Sequence, residues 1–276
     1  MQMIFFTKLF KEKSLPELAA LAHSASFDGF DLCVRPGHVV SPENVASALP
    51  AAAAFAAREG LAIPMVTGHF DLLYPDQPVV EELLDAMNRA NVRLLKLGYY
   101  RFDPTKQEYW KEVDHVRTAL DGWQECSRKH GVRICYHTHS NRCMGLNCAA
   151  LAHLIRGYDP ACIGAFLDPC HMLIEGEAFD VGLAMVREHL SIVSLKDVRL
   201  VRKEKNGHGS VIHEMPLAGE GMVDWTAVFD ELERVGYNGP LTVHCEFDVP
   251  GEQLEEAARH DAKFFRAQMA RVRQEG

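Results

Sequence analysis

Short, almost wholly apolar runs recur along this chain, and most are followed by a stretch in which apolar residues return every three or four positions. The runs cover residues 3–6, 27–34, 61–67, 92–98, 132–136, 163–167, 190–195 and 241–245. Continuous rather than alternating hydrophobicity predicts strands buried on both faces, the pattern of parallel sheets. The helical period predicts helices from Ser14, from Ser41 to about Gly60, and over 79–90, 105–130, 146–156, 179–189, 225–235 and 252–273. Local chemistry agrees at the ends: Ser14 with Glu17 spells a capping box, and Gly60 suits the position after a helix. Strands alternating with helices predict a single domain over 1–276, a closed (β/α)8 TIM barrel. The competing fold is an open doubly wound sheet, but no GxGxxG follows the first strand, which removes its commonest dinucleotide-binding form. One stretch, 197–224, is rich in charge and glycine and carries no clear period. It is expected to be irregular, and loops of that length are usually lids or disordered.

Composition narrows the function classes. At 276 residues with 47% hydrophobic and 24% charged positions, the chain can bury a real core. Its net charge of −9 repels phosphate backbones and no basic run offsets it, so no nucleic-acid partner is expected. No apolar run approaches the roughly 20 residues of a spanning helix, so no membrane role is expected either. Residues 1–8 lack the long apolar region and small-residue cleavage site of a secretory signal. The eight cysteines are scattered without a CxxC pair, as for buried free thiols in a reducing cytoplasm, the expected location.

Barrel active sites lie at the carboxyl ends of the strands. Read in order, those ends present His69, then Tyr99 and Tyr100, then His137 and His139. Asp168 and His171 follow, then Ser194, Lys196 and Asp197, and last Glu246 and Asp248. His137 and His139 share a face if residue 137 is still in the strand, because side chains two apart point the same way. Imidazoles and carboxylates together suit Mn²⁺, Fe²⁺, Co²⁺ or Zn²⁺, with Mg²⁺ where carboxylate and water dominate. For each residue a plainer role stands beside this one: a hydrogen-bonded polar side chain, a turn at Asp168, a solvated carboxylate at Glu246.

Four segments carry a family likeness. Asp168-x-x-His171, the Lys196-Asp197 pair, Gly219-Glu220-Gly221-Met222-Val223-Asp224-Trp225 and Val243-His244-Cys245-Glu246 resemble the xylose-isomerase-like barrel superfamily. That group holds sugar-phosphate isomerases and epimerases, ketose 3-epimerases, inosose dehydratases and endonuclease IV type nucleases. The resemblance implies a metal-dependent isomerase or epimerase of a small sugar, sugar phosphate or polyol derivative. Such an enzyme removes a proton next to a carbonyl and passes through an enediolate. An inosose-type dehydratase and a non-catalytic metabolite-binding barrel are the alternatives. The resemblance also implies a divalent ion (Mn, Co, Mg or Zn), with Asp168 and Glu246 as ligands.

Two positions depart from the family pattern. His137 stands where relatives keep a glutamate, and Ser194 stands where they keep a histidine. The expected ligand set is therefore Asp168, Glu246 and His137, with His171 or His139 filling the gap. Glu246 and His137 are the expected catalytic pair. His69, Tyr99, Lys196 and Arg199 are expected at the substrate, the last two on a carboxylate or phosphate. Barrels of this group often pair, so a homo-oligomer is a possible assembly.

Overall fold

The computed structural model describes residues 1–275, and its eight inner strands close into one parallel barrel whose successive neighbours are Gln2–Phe6, Pro240–Val243, Leu190–Leu195, Ile163–Leu167, Arg133–His137, Leu94–Lys96, Ala62–Thr67 and Gly29–Cys33. The strands are β1 (Gln2–Phe6), β2 (Gly29–Cys33), β3 (Ala62–Thr67), β4 (Leu94–Lys96), β5 (Arg133–His137), β6 (Ile163–Leu167), β7 (Leu190–Leu195) and β10 (Pro240–Val243). Outside them lie α1 (Leu15–Ala25), α2 (Val45–Arg58), α3 (Val79–Arg89), α4 (Tyr109–His130), α5 (Cys148–Ile155), α7 (Phe179–Val186), α8 (Trp225–Arg234) and α9 (Leu254–Glu275). The expected (β/α)8 barrel is the fold found. Ser14 and Glu17 form the capping box that starts α1, the Ser14 backbone donating to Glu17 at 2.8 Å.

Two elements differ from expectation. A short helix, α6 (Pro169–Ile174), follows β6 directly, with the Asp168 carboxylate capping it through the His171 N–H at 3.2 Å. The segment expected to be irregular contains an antiparallel hairpin, β8 (Arg199–Lys205) with β9 (His208–Glu214), paired from Arg199–Glu214 to Lys205–His208. Its residues are mostly exposed on both faces, so no apolar alternation marked it in the sequence. Past the hairpin the chain is pinned by Asp197. One carboxylate oxygen accepts from the N–H groups of Val198 (2.8 Å) and Val223 (3.1 Å). The other accepts from Gly219 (3.0 Å), Gly221 (3.2 Å) and the Trp225 indole (3.1 Å). A Cβ at Gly221 would collide with that carboxylate, which explains a glycine there.

Two cores result. The larger lies between strands and helices. The smaller fills the barrel: Ile4, Met65, Cys135 and Ile192 from β1, β3, β5 and β7, against Phe166 from β6. Four residues from alternate strands form one barrel layer. Because side chains two apart share a face, the next inward residues on those strands are Phe6, Thr67, His137 and Ser194. The even strands contribute Asp31, Lys96, Phe166 and Thr242. The barrel floor is therefore apolar and its upper half polar. Asp31 is fully buried there, accepting from Thr67 Oγ1 at 2.7 Å and Thr242 Oγ1 at 3.1 Å. All eight cysteines are unpaired thiols. No described helix is long and apolar enough to cross a membrane.

Candidate active site at the barrel mouth

Above the polar layer opens a cavity of about 570 Å³. Lys196, the last inward residue of the β7 line, reaches its centre. Its ammonium lies 3.0 Å from Glu246 Oε2, 3.0 Å from His171 Nε2 and 3.3 Å from Asp168 Oδ2. All but Glu246 are essentially buried. Lys8 also pairs with Glu246 from the β1 side. Burial alone would raise both carboxyls, but Lys196, with His171 and His137 at Asp168 and with His244 and Lys8 at Glu246, holds each well below the usual carboxylate range. Burial would likewise lower Lys196, and the two carboxylates outweigh it, so the ammonium persists far into alkali.

The imidazoles are fixed by the same network. Asp168 is ionised and only accepts, so His137 donates through Nε2 at 3.2 Å and its Nδ1 accepts from the Tyr99 hydroxyl at 2.9 Å. The ring is stacked on Phe166, with centroids 4.1 Å apart. In His171, Nε2 accepts a hydrogen bond from the Lys196 ammonium, so Nδ1 carries the hydrogen donated to Ser140 Oγ at 2.9 Å. His139 donates from Nδ1 to the Ser140 carbonyl at 2.9 Å and lies against the His171 ring, centroids 3.8 Å apart. Burial lowers all three rings, His137 and His139 to about 3, with Asp168 opposing the shift at His137 and the His171 ring adding to it at His139.

The structure thus brings together His137, His139, Asp168, His171, Lys196, Glu246 and Tyr99. It does not bring in His69, which pairs with Asp71 at the rim, nor Arg199. The Arg199 guanidinium points away along the hairpin, donating to the Glu220 carbonyl at 2.9 Å and approaching Glu214 at 3.5 Å. His137, expected as the second base, has both nitrogens in hydrogen bonds, Nε2 with Asp168 and Nδ1 with the Tyr99 hydroxyl. The cavity is also lined by residues not expected as site residues, among them Lys8, Arg35, Lys96, Arg101 and His244. Two buried polar atoms facing inward, Ser194 Oγ and His244 Nε2, have no hydrogen-bond partner among the described residues.

A divalent ion needs ligand atoms that converge on a gap. Here the point of convergence is taken by an ammonium, so the mouth in this arrangement does not fit the metal that the resemblance implies. Among the described residues, the one group whose ligand atoms all lie within 4.8 Å of one another is Glu81, Asp85 and His130, on the outer surface between α3 and α4.

The buried rings make stability pH-dependent in a definite direction. Their folded-state values lie below 6.5, so the unfolded chain binds more protons as pH falls, and stability is lost. His137, His139, His171 and His244 all act this way. Asp31, raised by burial to about 7, acts oppositely by holding a proton that the unfolded chain releases. Each ring contributes up to about 1.4 kcal/mol per pH unit. Denaturation followed between about pH 7 and 4 should show stability falling steeply below about pH 6; a flat profile would mean that these rings are solvated.

Residues 19–268 match a family model described as xylose isomerase-like TIM barrel. Among curated proteins, the inosose dehydratase of Lactiplantibacillus plantarum is 27% identical over 151 residues, 50% of this chain and 48% of the relative. The chain thus spans about half the length of the curated relatives it matches. Among solved structures, a 3-keto-D-glucoside 4-epimerase from E. coli superposes with a TM-score of 0.75 at 17% identity, over 97% of this chain and 99% of the other. A probable 3-DHS dehydratase from Bacillus anthracis does so with 0.72 at 13% identity, over 96% and 99%.

Proposed function

The chain belongs to the xylose isomerase-like TIM barrel family, and from that premise we propose that it is an enolising epimerase or isomerase. Its substrate is a small polyhydroxylated ketone, a keto-sugar or keto-polyol, and its reaction starts with removal of the proton next to the carbonyl. The observation that carries this reading is the Lys196–Glu246 pair, at 3.0 Å on the cavity wall. Glu246 is ionised at any ordinary pH and takes the proton as general base. The Lys196 ammonium faces the oxygen on which negative charge builds, in a water-poor site where that charge is worth most. His137 holds Tyr99 at the same wall. The unspent hydrogen-bonding capacity of His244, which lines the cavity, suits a hydroxyl-rich ligand. No step is routed through a metal.

Dehydration is the second reading, favoured because the curated relatives are named inosose dehydratase. It shares the enolisation and then expels a hydroxyl as water. One experiment tests both: incubation in deuterated water with a panel of keto-sugars and ketocyclitols, read by mass. A gain of deuterium at constant composition supports the epimerase, and loss of one water supports the dehydratase. Neither change with any member of the panel contradicts an enolising enzyme.

A further inference from the structure

Lys96 is the one charged side chain of β4 and points into the barrel, in the same layer as Asp31, Phe166 and Thr242. It is 2% exposed, yet it lines the cavity. Lys196 has three close partners; the Lys96 ammonium makes no ion pair and no hydrogen bond among the described residues. Its nitrogen lies 3.8 Å from the centroid of the Tyr99 ring. Asp31, the nearest carboxylate in its layer, spends its oxygens on Thr67 and Thr242. A structural lysine this deep is normally paired, because an unpaired buried ammonium is costly. Burial, with the Arg35 guanidinium nearby, instead lowers the Lys96 ammonium to about 7, only partly opposed by Asp31 and Glu246. Part of the amine is then neutral near neutral pH, the state in which an amine is a nucleophile.

We infer that Lys96 is a covalent handle for the carbonyl substrate, forming a Schiff base with the ketone carbon. The inference rests on the ketone-enolising reading and deepens it. The amine lone pair makes the C–N bond while the C=O π pair moves to oxygen, and an amine proton transfers to that oxygen to give a carbinolamine. Uptake of one proton from solvent and loss of water leave an iminium, with no change of oxidation state. Loss of the neighbouring proton then sends its electron pair toward the iminium nitrogen. That electron sink supplements the Lys196 ammonium, whose charge two carboxylates share, at a mouth that does not fit a divalent ion. Hydrolysis reverses the attachment.

The test needs no knowledge of the natural substrate. Wild-type protein is incubated near pH 7 with dihydroxyacetone and cyanoborohydride, and the reduced adducts are located by peptide mass mapping. The expected result is labelling of Lys96 at least about tenfold faster than of the exposed Lys111 and Lys263. No adduct on Lys96, or labelling at the rate of those surface lysines, overturns the inference. Deuterium exchange without a Lys96 adduct would leave the enolising reading standing and remove this one. An adduct without exchange into any panel member would do the reverse.

Discussion

Replacing Lys196 by Ala is expected to cost the protein about 3–5 kcal/mol of stability at neutral pH, the usual penalty for removing one partner of a buried ion pair. The variant leaves Asp168 fully buried with no cation against it and Glu246 with Lys8 alone. The sign of the pH dependence is determined by the same geometry. In the wild type the Asp168 carboxyl sits well below its unfolded value, so its contribution is present above about pH 4 and is lost as pH falls through the folded value. In the variant, burial acts unopposed by the ammonium and raises that carboxyl, so the folded chain holds a proton the unfolded chain does not. The gap between the two proteins should therefore be widest at neutral and alkaline pH and close towards about pH 4. Turnover should fall by about 10²–10³, the range for loss of one preorganised electrostatic contact in a shielded site. The vacated position is bounded by Asp168, Glu246 and His171, and Mn²⁺ should raise the melting temperature of the variant but not of the wild type. Denaturation across pH, with and without Mn²⁺, checks each part; a variant as stable as the wild type would show that the ammonium is solvated rather than seated between the carboxylates.

The second large effect belongs to Glu246→Gln. The amide keeps the shape and one acceptor oxygen but cannot take a proton, so deuterium exchange into substrate should fall by about 10²–10⁴, the contribution of a positioned acid–base group. Stability should change far less than in the Lys196 variant, because Asp168 still faces Lys196 at 3.3 Å. Exchange measured beside a melting curve separates the roles. A drop below about tenfold with an intact fold would remove Glu246 as the base.

The barrel was legible because parallel strands covered on both faces write themselves as unbroken apolar runs, and each run expected here holds a strand. Edges shifted for local reasons: residues 92–98 shrink to Leu94–Lys96, and past Leu97 the Gly98 N–H turns to the Leu72 carbonyl at 2.9 Å instead of a neighbouring strand. The strand-end rule found Asp168, Lys196 and Glu246. It did not reveal that Lys196 would sit among the others, because strand order around a closed barrel and side-chain reach decide that. Asp31 and Lys96 are marked in the sequence: each is a charge inside an otherwise apolar strand, Phe30-Asp31-Leu32 and Leu95-Lys96-Leu97. A charge there must face the barrel interior or disrupt the packing against the helices. His244 was visible only as part of a motif; two residues before Glu246, it shares that side chain's inward face. Arg199 looked like a substrate anchor because it follows Lys196 closely, but the chain has by then turned into the hairpin.

The proposed chemistry makes a lysine, not a divalent ion, the source of positive charge at this mouth. The most direct measurement is solvent deuterium exchange into a responsive ketone by wild-type protein, before and after chelator treatment, with metal content assayed in parallel. Exchange is expected to persist at an unchanged rate in protein free of stoichiometric metal. Exchange that vanishes on stripping and returns with added Mn²⁺ would contradict it.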